Sequence, residues 1–442
     1  MTNINRGLSS SQIIILGFAA LILLGSLLLM LPFATQSGQG ASFFDALFTA
    51  TTSVCVTGLV VHDTGTYWST FGHIIIITLI QIGGMGVVTF AVAVFTISGK
   101  RIDLKQRSTM QEAISAHKVG GIVRLTGFII KTSLLIELIG ALIMAPTFIK
   151  EFGVLRGIWY ALFHSISAFC NAGIDLMGVK APYSSLTHFV GNPAVNFAIM
   201  TLIVTGGIGF MTWEDIKTNK LRIREYRMQS KVILSTTLSL ILLPAIYFYF
   251  FEFSGMPLNK RVWSSLFQSV TPRTAGFNVV DLTKISEVGT AITILLMLIG
   301  GSPGSTAGGM KTTTLAVMLS TMVSVFQRRE HTHFFGRRIS SDTIRSAATV
   351  LMMYISLFLT GGFIISRVEG LPLLSCLYET ASAVGTVGLT LGITPGLGTI
   401  SKIILILLMY TGRVGGLTLI FSTLTASRGN TSRLPQEKIT VG

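Results

Sequence analysis

Four glycines, and the backbone on either side of them, are the part of this sequence best placed to do chemistry. They close four short stretches: FFDALFTATTSVCVTGL at 43–59, WYALFHSISAFCNAGI at 159–174, VWSSLFQSVTPRTAGF at 262–277 and LLSCLYETASAVGTVGL at 373–389. Each stretch carries a leucine–aromatic pair (Leu47-Phe48, Leu162-Phe163, Leu266-Phe267, Leu377-Tyr378). Nine to ten residues after that pair comes Gly58, Gly173, Gly276 or Gly388. In the third stretch the spacing from pair to glycine is one residue shorter than in the rest. The triplets ending on these glycines are Val56-Thr57-Gly58, Asn171-Ala172-Gly173, Thr274-Ala275-Gly276 and Thr386-Val387-Gly388, whose side chains share no ligand chemistry. A common role must therefore belong to the main chain. Inward-facing carbonyls can replace the hydration shell of a cation, and glycine tolerates the dihedral angles this needs because it lacks a Cβ. No ring of four Asp or Glu occupies these positions, which argues against a carboxylate-lined filter.

The elements that must position these loops are membrane helices. Of the 442 residues 50% are hydrophobic and only 12% charged, with mean hydropathy +0.70, a balance suited to a bilayer. A helix needs about 20 mostly apolar residues to cross, and eight stretches qualify: 12–34, 71–97, 122–148, 193–213, 232–252, 288–300 with its continuation to 326, 344–366 and 400–425. The first lacks the charged start and cleavage site of a signal peptide and is expected to be a retained helix. The glycine-ended stretches fall between successive spans and are too short to cross. Irregular backbone is tolerated at membrane depth only where protein or a water-filled cavity surrounds it, so the four loops are expected around one axis.

The filter glycines lie 115, 103 and 112 residues apart. A second landmark follows each: Gly83-Gly84-Met85-Gly86, Gly206-Gly207-Ile208-Gly209, Gly300-Gly301 and Gly415-Gly416. Close helix packing explains the second set alone but not both sets in the same order four times. The reading is an all-α integral membrane protein of four tandem helix–pore loop–helix repeats. Their expected bounds are 12–100, 121–217, 231–326 with an intramembrane loop at 300–314, and 343–425, between termini at 1–11 and 426–442.

Charge sets the topology. With the N-terminus inside, the inner segments hold 22 of the 33 Lys and Arg, and the outer segments hold Lys150, Arg156, Lys180, Lys260, Arg261, Lys284, Arg367 and Lys402. This is the positive-inside pattern, with both termini cytoplasmic in the cell membrane. The net charge of +15 is therefore topology, and nucleic acid is excluded because base-stacking aromatics are sparse in the basic loops. Loops 217–231 and 327–345 are docking candidates for a regulatory protein or anionic membrane lipid. Cys55, Cys170 and Cys376 form neither a disulfide framework nor a CxxC pair. No His/Glu/Asp cluster falls within the spans, so an enzyme ranks last, and no metal site is expected beyond a transported ion. The sole close histidine pair, His331 and His333, sits in a basic loop and reads as a solvated surface.

Two features interrupt the apolar spans. Gly300, Gly301, Ser302, Pro303, Gly304, Ser305, Thr306, Ala307, Gly308, Gly309, Met310 and Lys311 cannot hold a continuous helix. A phosphate-cradling P-loop is the rival, but Met310 separates the last glycine from Lys311 and no strand precedes the run. Arg413, in LMYTGRVGGLTL, either faces a cavity or caps buried carbonyls. Glu137 is expected to seat the pore or to hydrogen-bond between helices. Asp45 and Glu379 either attract cations to the mouth or serve capping and packing.

The sequence resembles the Trk/Ktr/HKT superfamily of potassium transporters, most of all the Ktr-type membrane subunit of bacteria. The likeness runs over about 12–425 and is carried by FDALFTA to Gly58, HSISAFCNAG, GGIGF at 206–210, SVTPRTAGF and SAVGTVGL; Thr386-Val387-Gly388 also matches the start of the potassium filter TVGYG. The chain opens on the first repeat without the extra helix pair of Trk-type subunits, which favours the Ktr branch. The resemblance implies a pseudo-fourfold central pore, a homodimer and a cytosolic regulatory ring that carries the nucleotide, with no cofactor in this chain. It implies a gating loop at 300–314 and places the Arg413 guanidinium below the filter as a barrier to cations. In this family a serine at the first filter glycine goes with sodium passage, so four glycines imply selectivity for K⁺, with dependence of uptake on Na⁺ left open. The competing function is a secondary cation or solute symporter with a broken-helix midplane site.

Overall fold

A computed structural model describes residues 9–91, 104–113 and 121–416. The expected ends of the second and eighth spans, the start of the N-terminal segment and the C-terminal segment lie outside the described residues.

Among the described residues, four helices are long and apolar enough to cross a membrane: α1 (Ser10–Leu29), α5 (Ile122–Phe152), α9 (Met228–Tyr247, continued by a π-helical turn to Glu252) and α13 (Ser341–Glu369). Their ends are locally encoded. Ser9 and Gln12 form a reciprocal capping box on α1, and Ser340 accepts from the Thr343 N–H to start α13. Before α5 stands Gly121, in the left-handed region and without a side chain to cap the first turn. Gly370, also left-handed, stops α13.

After each long helix comes a short one that ends at one of the four glycine triplets: α2 (Phe43–Val54), α6 (Val154–Phe169), α10 (Leu258–Val270) and α14 (Leu373–Gly385). A second apolar helix then returns: α3 (Thr70–Met85), α7 (Pro193–Gly207), α11 (Glu287–Leu298) and α15 (Thr399–Val414). Further helices of ten residues or more among the described residues are α4 (Leu104–Ala113), α8 (Phe210–Asn219) and α12 (Thr312–Phe326), and a two-stranded hairpin pairing His333–Phe334 with Arg337–Arg338 precedes α13.

The units close into a ring. α3 packs on α6, α7 on α10, α11 on α14 and α15 on α2, so each returning helix contacts the short helix of the next unit, and the fourth unit meets the first. This is the pseudo-fourfold arrangement of helix–pore loop–helix repeats around one centre.

The returning helices differ from the continuous spans expected from the sequence. α3 and α15 are capped by Gly86 (φ 88°, ψ 130°) and Gly415 (φ 89°, ψ 134°), and α7 ends at Gly207, two residues before Gly209 (φ 92°, ψ 141°) starts α8. At Gly209 the chain turns by 97° from α7 into α8. The cause is the positive φ, which breaks the helical ladder and which a Cβ would resist. In the third unit the break is longer, with residues 299–311 non-helical between α11 and α12.

Candidate functional site

The four candidate filter triplets are wholly buried and share one backbone pattern. In each, the first residue and the glycine both have positive φ: Val56 (48°) and Gly58 (97°), Asn171 (59°) and Gly173 (63°), Thr274 (70°) and Gly276 (85°), Thr386 (51°) and Gly388 (93°). Positive φ at the first and third positions, in the same register four times, fixes the alignment of the shorter third loop. A non-glycine residue at positive φ in every triplet is strain of a kind that persists where surrounding structure over-determines it.

The triplets interlock in a closed circle. A Cβ on Gly58 would overlap the Ala172 carbonyl oxygen, one on Gly173 that of Ala275, one on Gly276 that of Val387, and one on Gly388 that of Thr57. The middle carbonyl of every triplet thus lies against the glycine of the preceding one. No side chain fits at any of the four glycines without moving backbone. The glycines also converge: a Cβ on Gly276 would lie 3.2 Å from the Gly173 α-carbon and 3.3 Å from that of Gly388.

Hydroxyls from the ends of the short helices hold the loops, a row the sequence reading missed. The Gly58 N–H donates to Thr52 Oγ1 and the Gly388 N–H to Ser382 Oγ, each at 2.9 Å. Ser167 Oγ donates to the Ile174 carbonyl at 2.7 Å and Thr271 Oγ1 to that of Phe277 at 2.5 Å. The same four residues accept from the chain through their own carbonyls, at 2.8 Å from Thr57, Ala172 and Val387 and 3.0 Å from Ala275. The available signal was a Ser or Thr six residues before the glycine, five in the shorter third loop. Arg273 was also missed: its guanidinium is buried behind the third loop, with Thr237 Oγ1 at 3.4 Å and Nε unpartnered among the described residues.

Beneath this ring lies the interrupted stretch of the third unit. Its ends are joined by the Gly300 N–H to the Met310 carbonyl at 2.7 Å and the Thr312 N–H to that of Gly301 at 3.0 Å. Between them it is tied to other units: Ser302 N–H to Gly207 O at 2.9 Å, Thr306 N–H to Gly206 O at 3.2 Å, Gly309 N–H to Gly412 O at 3.2 Å, and Phe210 N–H to Gly304 O at 2.7 Å. Four of its N–H groups, those of Gly300, Ser302, Thr306 and Gly309, therefore meet protein carbonyls, and the stretch follows a helix rather than a strand, against the P-loop rival.

Arg413 near the end of α15 donates to the carbonyls of Thr306, Gly83 and, at 2.8 Å, Gly84. One guanidinium so joins the fourth unit, the first unit and the interrupted stretch. Lys311 turns back on the same stretch, with Nζ 2.9 Å from Ala307 O and 3.1 Å from Gly308 O. Both side chains line a cavity of about 290 Å³ with Gly84, Gly86, Ser305 and Glu112.

The remaining charged candidates are bonded within the protein. Glu379 is buried, accepting from Thr390 Oγ1 at 2.5 Å, Thr394 Oγ1 at 2.6 Å and the Leu391 N–H at 3.2 Å. Asp45 accepts from the Ser42 hydroxyl at the start of α2 and pairs with His62 at 3.2 Å and Lys402 at 3.7 Å. Glu137 of α5 accepts from Gln81 of α3, a hydrogen bond between helices. Among the described residues no three His, Cys, Asp or Glu are grouped to hold a metal ion.

Comparison with known proteins agrees with this architecture. The family model described as TrkH, cation transport protein, matches residues 8–431. The potassium/sodium uptake protein NtpJ of Enterococcus hirae is 40% identical over 99% of this chain and 98% of its own length. The Ktr system potassium uptake protein B of Bacillus subtilis is 39% identical, over 98% and 96%. Among solved structures, the potassium transporter TrkH of Vibrio parahaemolyticus shares the fold with a TM-score of 0.75 at 18% identity, over 96% of this chain and 87% of that one. The chain is thus a multi-pass membrane protein and not an enzyme, and it belongs to the TrkH family of cation transport proteins.

Proposed function

We propose that this protein carries K⁺ into the cell through the ring of four triplets, with carbonyls from residues 56–58, 171–173, 274–276 and 386–388 replacing water around the ion. The observation that carries this reading is the closed circle in which each glycine meets the middle carbonyl of the next triplet. Glycine at all four positions leaves no side chain to narrow or substitute the ligand set. The two relatives named for potassium uptake, alike over nearly full length, support the choice of ion. A symporter with a midplane site is supported less, because it calls for inverted repeats whereas each unit here contacts the next in one rotational sense.

The same reading makes the interrupted stretch, 300–314, the gate. Arg413 and Lys311 set positive charge beneath the ring and hold the stretch by its own carbonyls, opposing a cation in transit. The four units correspond to 12–100, 121–217, 231–326 and 343–425, with both termini in the cytosol. A second copy of the chain and a cytosolic nucleotide-binding ring, docking on basic loops 217–231 and 327–345, complete the assembly, alongside anionic lipid.

The test is growth of a bacterium lacking K⁺ uptake on low-K⁺ medium, expressing this chain with and without its cytosolic partner. Rescue in at least one case is expected. No rescue in either, with the protein present in the membrane, rejects K⁺ uptake.

A further inference from the structure

The Gly83 and Gly84 carbonyls that receive Arg413 stand at the last turn of α3, and a second, partly buried network adjoins that turn. Two residues earlier, Gln81 donates through Nε2 to both oxygens of Glu137 on α5, at 3.0 and 3.2 Å. Its own Oε1 lies 3.5 Å from the Cys170 thiol. Cys170 caps α6 and directly precedes Asn171, the first residue of the second triplet. Glu137 is 2% exposed, and its main-chain carbonyl accepts from Ser165 of α6 at 2.5 Å. The α3 turn is also wedged tightly: a Cβ on Gly84 would fall 2.7 Å from Cys170 Sγ, and one on Gly83 would overlap the Val54 carbonyl at the end of α2.

We infer that Gln81 is a positioning residue for the gate, holding the Gly83 and Gly84 carbonyls where Arg413 can be retained. The inference rests on the gate reading of Arg413 given above. An amide suits this place because it has two donor hydrogens and an acceptor, so one side chain joins α5, the end of α6 and the last turn of α3. The Glu137 carboxylate is the anchor for the donor arm; no lysine or arginine is bonded to it among the described residues. Loss of the amide frees the turn, the two carbonyls drift, and Arg413 keeps only the Thr306 carbonyl. The gate then spends more time released, and flux rises without any change at the filter glycines.

The experiment measures K⁺ flux and K⁺ over Na⁺ discrimination in proteoliposomes for the full chain carrying Arg413→Ala, Gln81→Leu, the double substitution, Glu137→Leu and Glu137→Gln. The expected pattern is raised flux for Arg413→Ala, a rise of about fivefold for Gln81→Leu with discrimination unchanged, and no further rise in the double variant. Glu137→Leu should follow Gln81→Leu, whereas Glu137→Gln, which keeps an acceptor for the amide, should stay near the unsubstituted protein. If Gln81→Leu does not reach the membrane, the Glu137 pair gives the same comparison. Raised flux for Arg413→Ala with none for Gln81→Leu or Glu137→Leu overturns the inference and leaves the gate reading standing. Additive effects in the double variant also overturn it. No rise for Arg413→Ala overturns both.

Discussion

Gly308 of the interrupted stretch lies directly against Thr386, the first residue of the fourth candidate filter triplet. A Cβ added at Gly308 would overlap the Thr386 Oγ1 and come within 2.9 Å of its methyl group. The hydroxyl is buried and has no hydrogen-bond partner among the described residues. The candidate gate and the candidate filter are thus in van der Waals contact, with no room between them for one more carbon.

That contact makes a directional prediction. Gly308→Ala should disfavour the stretch in its seated position by about 1–2 kcal/mol, the usual size of an overpacking penalty, and raise K⁺ flux roughly tenfold. Thr386→Ala removes both clashing atoms while keeping the carbonyl, so the double variant should return toward the original flux. Flux assays on the three variants decide it; a fall in flux for Gly308→Ala, or no recovery in the double variant, counts against the arrangement.

The hydroxyls behind the loops should matter for selectivity more than for stability. Thr52→Val and Ser382→Ala each remove the acceptor of a filter glycine N–H. A buried donor left unpaired costs about 1–3 kcal/mol, and the loop can relieve it by turning the peptide, which alters the ring of carbonyls. Competition between Na⁺ and K⁺ in uptake assays is expected to show weaker discrimination in both variants, with little change in the amount of folded protein.

The break at Gly209 should be intolerant of a side chain. Its φ of 92° is outside what L-residues adopt readily, and an added Cβ would fall 2.6 Å from the Pro303 carbonyl oxygen. Gly209→Ala should cost about 1–2 kcal/mol from backbone conformation alone, with the contact adding to it. Lower resistance to thermal aggregation in detergent is the expected readout.

Much of this was written in the residues. The leucine–aromatic pair and the glycine after it locate all four loops, because hairpins of one design repeat the same landmarks. The stretch from Gly300 to Lys311 announces its break through glycine and proline. The positive φ at Val56, Asn171, Thr274 and Thr386 was not legible, since the surrounding ring imposes it on dissimilar side chains. The helix breaks at Gly86 and Gly209 and the helix end at Gly415 hid inside apolar runs that length and hydropathy alone read as continuous. Arg413 was visible as an intramembrane charge, but its three carbonyl partners come from segments more than one hundred residues away in sequence. Gln81 carried no signal of its own: its partners lie on α5 and at the end of α6, which only the packing of the second unit against the first brings to α3.

The central claim is that four backbone glycines, and not side chains, set the choice of cation. Its most direct test is the ratio of K⁺ to Na⁺ flux in proteoliposomes carrying the unsubstituted chain or Gly58→Ser. A serine there meets the Ala172 carbonyl and must displace it. The account predicts strong preference for K⁺ in the first case and a ratio about tenfold or more closer to unity in the second, equivalent to ~1.4 kcal/mol. An unchanged ratio, with the variant folded and conducting, would contradict it.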